Sequence, residues 1–182
     1  MNDFIGNLWK TGGWGHFTNE NNIYHQELKK VNVDFRSVLE VGPGNGSFAK
    51  EIMDEYNVSS YTFLDIPNGL SYLKETFKDS CNYVSCYDYK TLFDTKFDIL
   101  ISNICIPETP KEYREDLLSN ILPNCKASMI LGQLTGPWDI TGDYEQFIMN
   151  VYNNTYKKVL VSPINYKQCY SVIGYENRNT NR

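Results

Sequence analysis

Hydrophobic positions in this chain fall into short runs separated by helix-period stretches. The apolar runs are Ser37–Val41, Tyr61–Ile66, Tyr83–Tyr87, Phe97–Ser102, Ser128–Leu134, Lys158–Ser162 and Tyr170–Tyr175. Each has the length and the β-branched or aromatic content of a strand. Between them, apolar residues recur at helical spacing over Ser47–Tyr56, Leu70–Phe77, Lys111–Leu122 and Tyr144–Tyr156. Thr109-Pro110-Lys111-Glu112 reads as an N-cap followed by proline in the first helical turn, and Asn120 to Pro123 closes that helix. The link Asp88–Lys96 has room for one helical turn.

Strands alternating with helices predict an α/β fold: a Rossmann-like, seven-stranded, mostly parallel sheet with helices on both faces. The last two strands are the exception. Pro163–Cys169 is too short for a parallel crossover, so the chain is expected to end in an antiparallel hairpin. No internal repeat or linker divides the 182 residues, and a single domain is expected. Within it, residues 1–32 form an N-terminal lid and helix (helix-like over Ile23–Lys30), residues 33–176 the core, and residues 177–182 a polar, disordered tail.

Composition changes the picture only by exclusion. Apolar residues make up 41% and charged residues 21%, as in a folded globular chain. The net charge is −5, and Lys29-Lys30 and Lys157-Lys158 are isolated pairs that read as solvated faces, so a nucleic-acid partner is not expected. No stretch reads as a signal peptide or a membrane span. The five cysteines are odd in number and contain no CxxC, which argues against a disulfide framework or a zinc site and for the cytoplasm.

The candidate chemistry begins at Glu40-Val41-Gly42-Pro43-Gly44-Asn45-Gly46. This is a strand, a glycine-rich loop and then a helix. Glycine allows positive φ and close approach of a ligand to the backbone, and the helix N-terminus offers N–H groups to an anionic or polar ligand. The second strand ends in Asp65, 19 residues after Gly46, where a Rossmann-like fold places an acid on ribose hydroxyls. A dinucleotide site prefers GxGxxG; here the third glycine comes one residue early and Ser47 stands in its place. A bare glycine turn is the plainer alternative, but the flanking strand, helix and two acids favour a ligand site.

These residues resemble the class I S-adenosylmethionine-dependent methyltransferases. Glu40 to Gly46 is similar to that family's first motif, and the likeness extends over most of the chain. It implies S-adenosyl-L-methionine as cofactor, held by Glu40, Gly42, Gly44, Gly46, Asp65, Ile66, Asp88 and Asn103. Asp65 would bind the ribose hydroxyls, and Asp88, closing Tyr83–Asp88, would lie near the adenine amino group. Phe97–Asn103 matches the fourth strand, which ends beside the transferred methyl. Asp65-Ile66-Pro67, Asn103 and Glu108 also resemble a group described as sugar O-methyltransferases.

The resemblance makes the expected acceptor a hydroxyl on a small molecule, a sugar or a glycan precursor. A base must then take its proton. Glu108 and His16 are the candidate bases, and Asn103 would orient the acceptor. His16 lies in a Gly-rich segment that could close as a lid, though a plain surface histidine fits it equally. Trp14 and Trp138 could stack on a sugar ring or simply pack. His25 falls inside a helical pattern and reads as a surface residue. No His/Asp cluster points to a metal. Two alternatives stay open: a carboxylate or amine acceptor, and a methyltransferase fold reduced to a binding module. The acceptor loops, Ile104–Pro110 and Thr135–Asp143, carry no legible motif, and oligomeric state is not readable.

Overall fold

The structure, a computed structural model, describes residues 21–31, 33–103, 105–132, 143–164 and 169–179. Its elements in chain order are α1 (Asn21–Leu28), β1 (Ser37–Val41), α2 (Ser47–Glu55), β2 (Ser60–Asp65), α3 (Pro67–Phe77), β3 (Asn82–Ser85), β4 (Phe97–Asn103), α4 (Lys111–Ile121), β5 (Cys125–Gly132), α5 (Tyr144–Thr155), β6 (Tyr156–Ile164) and β7 (Cys169–Asn177). Short 3₁₀ turns lie at Lys78–Ser80, Tyr89–Leu92, Ile106–Glu108 and Leu122–Asn124. The link after β3 therefore holds one turn, as its length predicts.

The strands form one sheet in the order β3-β2-β1-β4-β5-β7-β6. The first five are parallel neighbours, and β7 inserts antiparallel between β5 and β6. The chain winds outward from β1 in one direction through β2 and β3, then restarts at β4 in the other. Connections at β1 and β4 thus leave on opposite sides, which opens a crevice beyond their carboxyl ends.

Both faces are covered. On one, Val38, Tyr61, Phe63, Ile99, Ile101 and Met129 pack against Leu28 of α1, Phe48, Ala49 and Ile52 of α2, and Leu70 and Leu73 of α3. On the other, Leu39, Val41, Leu64, Leu100 and Ile130 pack against Leu117, Leu118 and Ile121 of α4 and Ile148 and Tyr152 of α5. The helical spacing of these positions explains why the apolar pattern was readable. No helix among the described residues is long and apolar enough to cross a membrane.

Four details differ from expectation. β5 starts at Cys125 rather than Ser128, because Lys126 interrupts the apolar run yet belongs to the strand, reaching Asp98 at 2.6 Å. α3 starts at Pro67, where proline's fixed φ suits the first helical position, with Ile66 extended at its N-cap. Helix α4 is capped by Pro110, and the Thr109 hydroxyl instead donates to the Ile106 carbonyl at 2.8 Å. Asn177 belongs to β7 rather than to a loose tail. It is 1% exposed, and its side-chain amide donates to the carbonyls of Leu122, Pro123 and Cys125 at 3.2, 3.1 and 2.6 Å.

His25 is also not a surface residue. Its Nε2 lies 2.8 Å from Glu51 and its Nδ1 3.3 Å from Glu55, two carboxylates one turn apart on α2. Glu27 of α1 accepts from Ser171 of β7 at 2.8 Å. These long-range partners hold α1 across the sheet, and no local sequence pattern announces them.

Candidate functional site

The three loop glycines all have positive φ, at 69° for Gly42, 60° for Gly44 and 76° for Gly46. They are bare for different reasons. A Cβ on Gly42 would collide with the side chain of Cys105, which follows β4, and one on Gly46 would meet Leu73 and Phe77 of α3. A Cβ on Gly44 would meet nothing within 4 Å. Two glycines thus let neighbouring elements approach, and the third leaves open space at the loop's crest. The loop supports itself: Gly42 N donates to Leu64 O at 2.9 Å, Gly46 N to Pro43 O at 3.0 Å, and Ser47 N to the Asn45 side chain at 3.0 Å.

Three carboxyl groups gather around this crevice. Glu40 lies in β1 on the face opposite Leu39 and Val41, 1% exposed, and accepts the Tyr61 hydroxyl at 2.8 Å. Burial pushes its pKa up to about 7, against the hydrogen bond from Tyr61, and Asp65 adds to the push. Its carboxyl meets the protein rather than open crevice. Asp65, the last residue of β2, is 8% exposed. Its Oδ1 accepts from Ile66 N at 2.7 Å, while its Oδ2 is buried with no hydrogen-bond partner. Burial raises it to about 7, opposed by the Ile66 amide. Asp88 is exposed in the turn after β3 and begins the 3₁₀ turn there. Cys86 N donates to Asp65 O at 2.8 Å, which draws that turn against the end of β2.

Beyond β4, Asn103 ends the strand with its Oδ1 buried and unpartnered. Glu108 closes the following 3₁₀ turn, half-buried, and burial alone pushes it up to about 7. The charges of Asp65 and Glu108 both act on the Cys105 thiol, which burial first pushes far up, so the two acids flank one residue. The fold thereby brings Glu40, Gly42, Gly44, Gly46, Asp65, Ile66, Asp88, Asn103 and Glu108 to one edge of the sheet. His16, Trp14 and Trp138 lie outside the described residues. Among the described residues, no group of three or more His, Cys, Asp or Glu is placed to hold a metal ion.

A buried carboxylate oxygen without a donor is expensive unless a ligand supplies one. Asp65 Oδ2 is therefore an acceptor with room for a donor, at the end of the strand paired with β1. No family model matches the sequence, and no curated protein matches it. Solved structures do. An O-methyltransferase family protein from Burkholderia thailandensis aligns over 87% of this chain and 57% of its own, with TM-score 0.61 and 11% identity. A chain designated an O-methyltransferase from Nostoc punctiforme aligns over 93% of this chain and 59% of its own, with TM-score 0.67 and 12% identity. A chain designated a methyltransferase, in complex with the Haloferax volcanii Trm112 methyltransferase activator, aligns over 96% of this chain and 98% of its own, with TM-score 0.66 and 12% identity.

The fold is that of the class I methyltransferases. The chain spans under two thirds of the Burkholderia and Nostoc proteins and nearly all of the Haloferax one. Two residues that shape this end of the sheet carried no signal in the sequence. Tyr61, the partner of Glu40, looked like one more strand aromatic. Cys105 looked like a small hydrophobe, yet it explains why Gly42 is bare.

Proposed function

We propose that the chain is an S-adenosylmethionine-dependent methyltransferase that methylates a hydroxyl on a small molecule, of which a sugar or glycan precursor is the favoured class. The observation that carries this reading is Asp65 Oδ2, buried and unpartnered at the end of β2, the strand paired with β1, whose loop carries the open Gly44. A vicinal diol fits an acid in that position.

The residues present suit the cofactor. Asp65 would accept from ribose hydroxyls, with Asp88 at the outer rim. Glu40 would act through the loop that follows it, since Tyr61 already holds its carboxyl. When bound, S-adenosylmethionine supplies a methyl group already activated on a sulfonium. The protein's tasks are then alignment and proton removal. Asn103 Oδ1 is an acceptor aimed into buried space, suited to orienting a hydroxyl. Glu108 takes the hydroxyl proton. Its raised pKa keeps it a better proton acceptor than an exposed carboxylate, and it becomes available as pH rises through about 7.

Calorimetric titration with S-adenosylhomocysteine, with NADH as control, tests the reading. Binding of the first alone is expected, followed by a screen of nucleotide sugars as acceptors. Binding of NADH alone, or of neither, overturns it.

A further inference from the structure

β4 lies between β1 and β5 in the sheet, and a bare glycine flanks the link that follows it on each side. Gly42, on the β1 side, makes room for Cys105, and its positive φ asks for glycine as well. Gly132, the last residue of β5, is a different case. Its φ is not positive, so its backbone does not require a glycine. A glycine in a strand weakens it and often marks a place where another segment comes close. Here that segment is Pro107. A Cβ on Gly132 would lie 2.5 Å from Pro107 Cγ and 3.4 Å from its Cδ.

Pro107 has no rotamer that would step aside. Its ring is closed on its own backbone, so a push on Cγ passes to the 3₁₀ turn Ile106–Glu108. That turn is held from other directions too. Ile106 is buried, and its amide donates to Ser102 Oγ at 3.4 Å. Glu108 N donates to Cys105 O at 3.0 Å. Just beyond, Thr109 O accepts from Arg114 Nη1 at 3.2 Å. Arg114 is itself buried, with its guanidinium 4.9 Å over the Tyr144 ring. Glu108 is thus the half-buried end of a turn anchored on both sides. In packing this tight, one added methyl group is felt by the whole turn.

We propose that Gly132 is a positioning residue: by leaving room for the Pro107 ring, it sets how deeply the turn seats and so where the Glu108 carboxyl stands beyond β4. This rests on the reading of Glu108 as the base. The seat acts through one contact, so exchanging the sizes of its two sides tests it. The Glu108 carboxyl-carbon NMR resonance, assigned with Glu108→Gln, is followed against pH in the wild type, Gly132→Ala, Pro107→Ala and the double variant. Each protein is also titrated with S-adenosylhomocysteine. Burial holds the wild-type midpoint at about 7. Gly132→Ala is expected to lift the turn toward water and lower the midpoint by about one pH unit or more. Cofactor affinity is expected to stay within about threefold, because no proposed cofactor contact is altered. The double variant gives the new methyl group the space of the lost ring, and more than half of the shift is expected to be restored. A midpoint unchanged in Gly132→Ala, or one that the double variant fails to restore, overturns the role of Gly132 and leaves the cofactor reading intact. If Gly132→Ala does not fold, recovery of folding in the double variant supports the contact, and continued failure overturns it. No binding of S-adenosylhomocysteine to wild type overturns the reading above, and the positioning role with it.

Discussion

Asp65 and Asp98 are both 8% exposed, yet they are opposite cases. Asp98 stands at the amino end of β4. Its Oδ2 accepts from the backbone amides of Arg36 and Ser37, each at 2.8 Å, and its Oδ1 lies 2.6 Å from Lys126. Burial works to raise its pKa, but Lys126 and the two amides together outweigh that and hold it below the ordinary carboxylate value. Asp65 stands at the carboxyl end of β2 with one backbone donor, and burial prevails, raising it to about 7. Equal exposure hides unequal depth: Asp65 is more deeply enclosed and has fewer partners, and the two shifts have opposite signs. One end of the sheet is closed by side chains that satisfy backbone groups, as Asn177 does for three carbonyls. The other end keeps the acceptors of Asp65 and Asn103 open, and that is where the proposed site lies.

The largest effect should come from the open end. Glu108→Gln keeps the shape of the 3₁₀ turn and removes the proposed base. A positioned base typically contributes roughly 10²–10⁴-fold. Turnover with the acceptor found by screening is expected to fall at least about a hundredfold, with S-adenosylhomocysteine affinity within about threefold. In the wild type, turnover should rise with pH through about 7 as Glu108 ionises. Turnover close to wild type would discard Glu108 as the base.

Asp98→Ala attacks the closed end. It strands two backbone amides and a lysine, and each unmet buried group costs roughly 1–3 kcal/mol. A loss of roughly 3 kcal/mol is expected, read as a melting temperature lower by about 6–12 °C. Cofactor affinity, measured in the still-folded protein, should hold. A variant that melts like wild type would show that Asp98 is not a structural hub.

Asp65→Ala is the mirror experiment. It removes an acceptor for hydroxyls that only a ligand supplies, so S-adenosylhomocysteine should bind at least tenfold more weakly, about 1.4 kcal/mol. Stability should not fall with it, because a buried ionised group goes as well. Unchanged affinity in the folded variant takes Asp65 out of the site. A large drop in melting temperature would erase the contrast with Asp98.

The open end of the sheet was legible in the sequence, and the reason is local; Asp98 carried no signal there. Gly42, Gly44 and Gly46 announce a backbone conformation, and Asp65 is placed by strand length and spacing alone. The hairpin followed from the seven-residue link at Pro163–Cys169. What could not be read depends on partners far along the chain. His25 is buried because Glu51 and Glu55 of another helix face its two nitrogens. Asn177 is buried because the end of α4 offers it carbonyls. Residues that act by their own conformation show themselves in sequence, and residues that act through distant contacts do not.

The smallest effect tests the two ends together by pH. Glu40, Asp65 and Glu108 each have a folded pKa near 7, above their ordinary values of 4.5, 3.8 and 4.5. The folded state therefore holds protons that the unfolded chain releases, and these groups favour folding most below about pH 4. Their contribution is lost as pH rises through about 7. Asp98 has the opposite sign: its depressed pKa contributes above its ordinary value and is lost in acid. The melting temperature should thus be highest near about pH 4, falling in stronger acid as Asp98 protonates, falling again between about pH 4 and 7, and levelling above that. Glu40→Gln isolates the upper limb, since a glutamine oxygen can still accept from Tyr61 without a charge to bury. Its melting temperature at pH 8 should exceed that of wild type by a few degrees, at about 2–4 °C per kcal/mol, with little difference at pH 5. An identical decline in both proteins from pH 6 to 8 would mean that Glu40 stays neutral throughout, and the open end would then owe its alkaline sensitivity to Asp65 and Glu108.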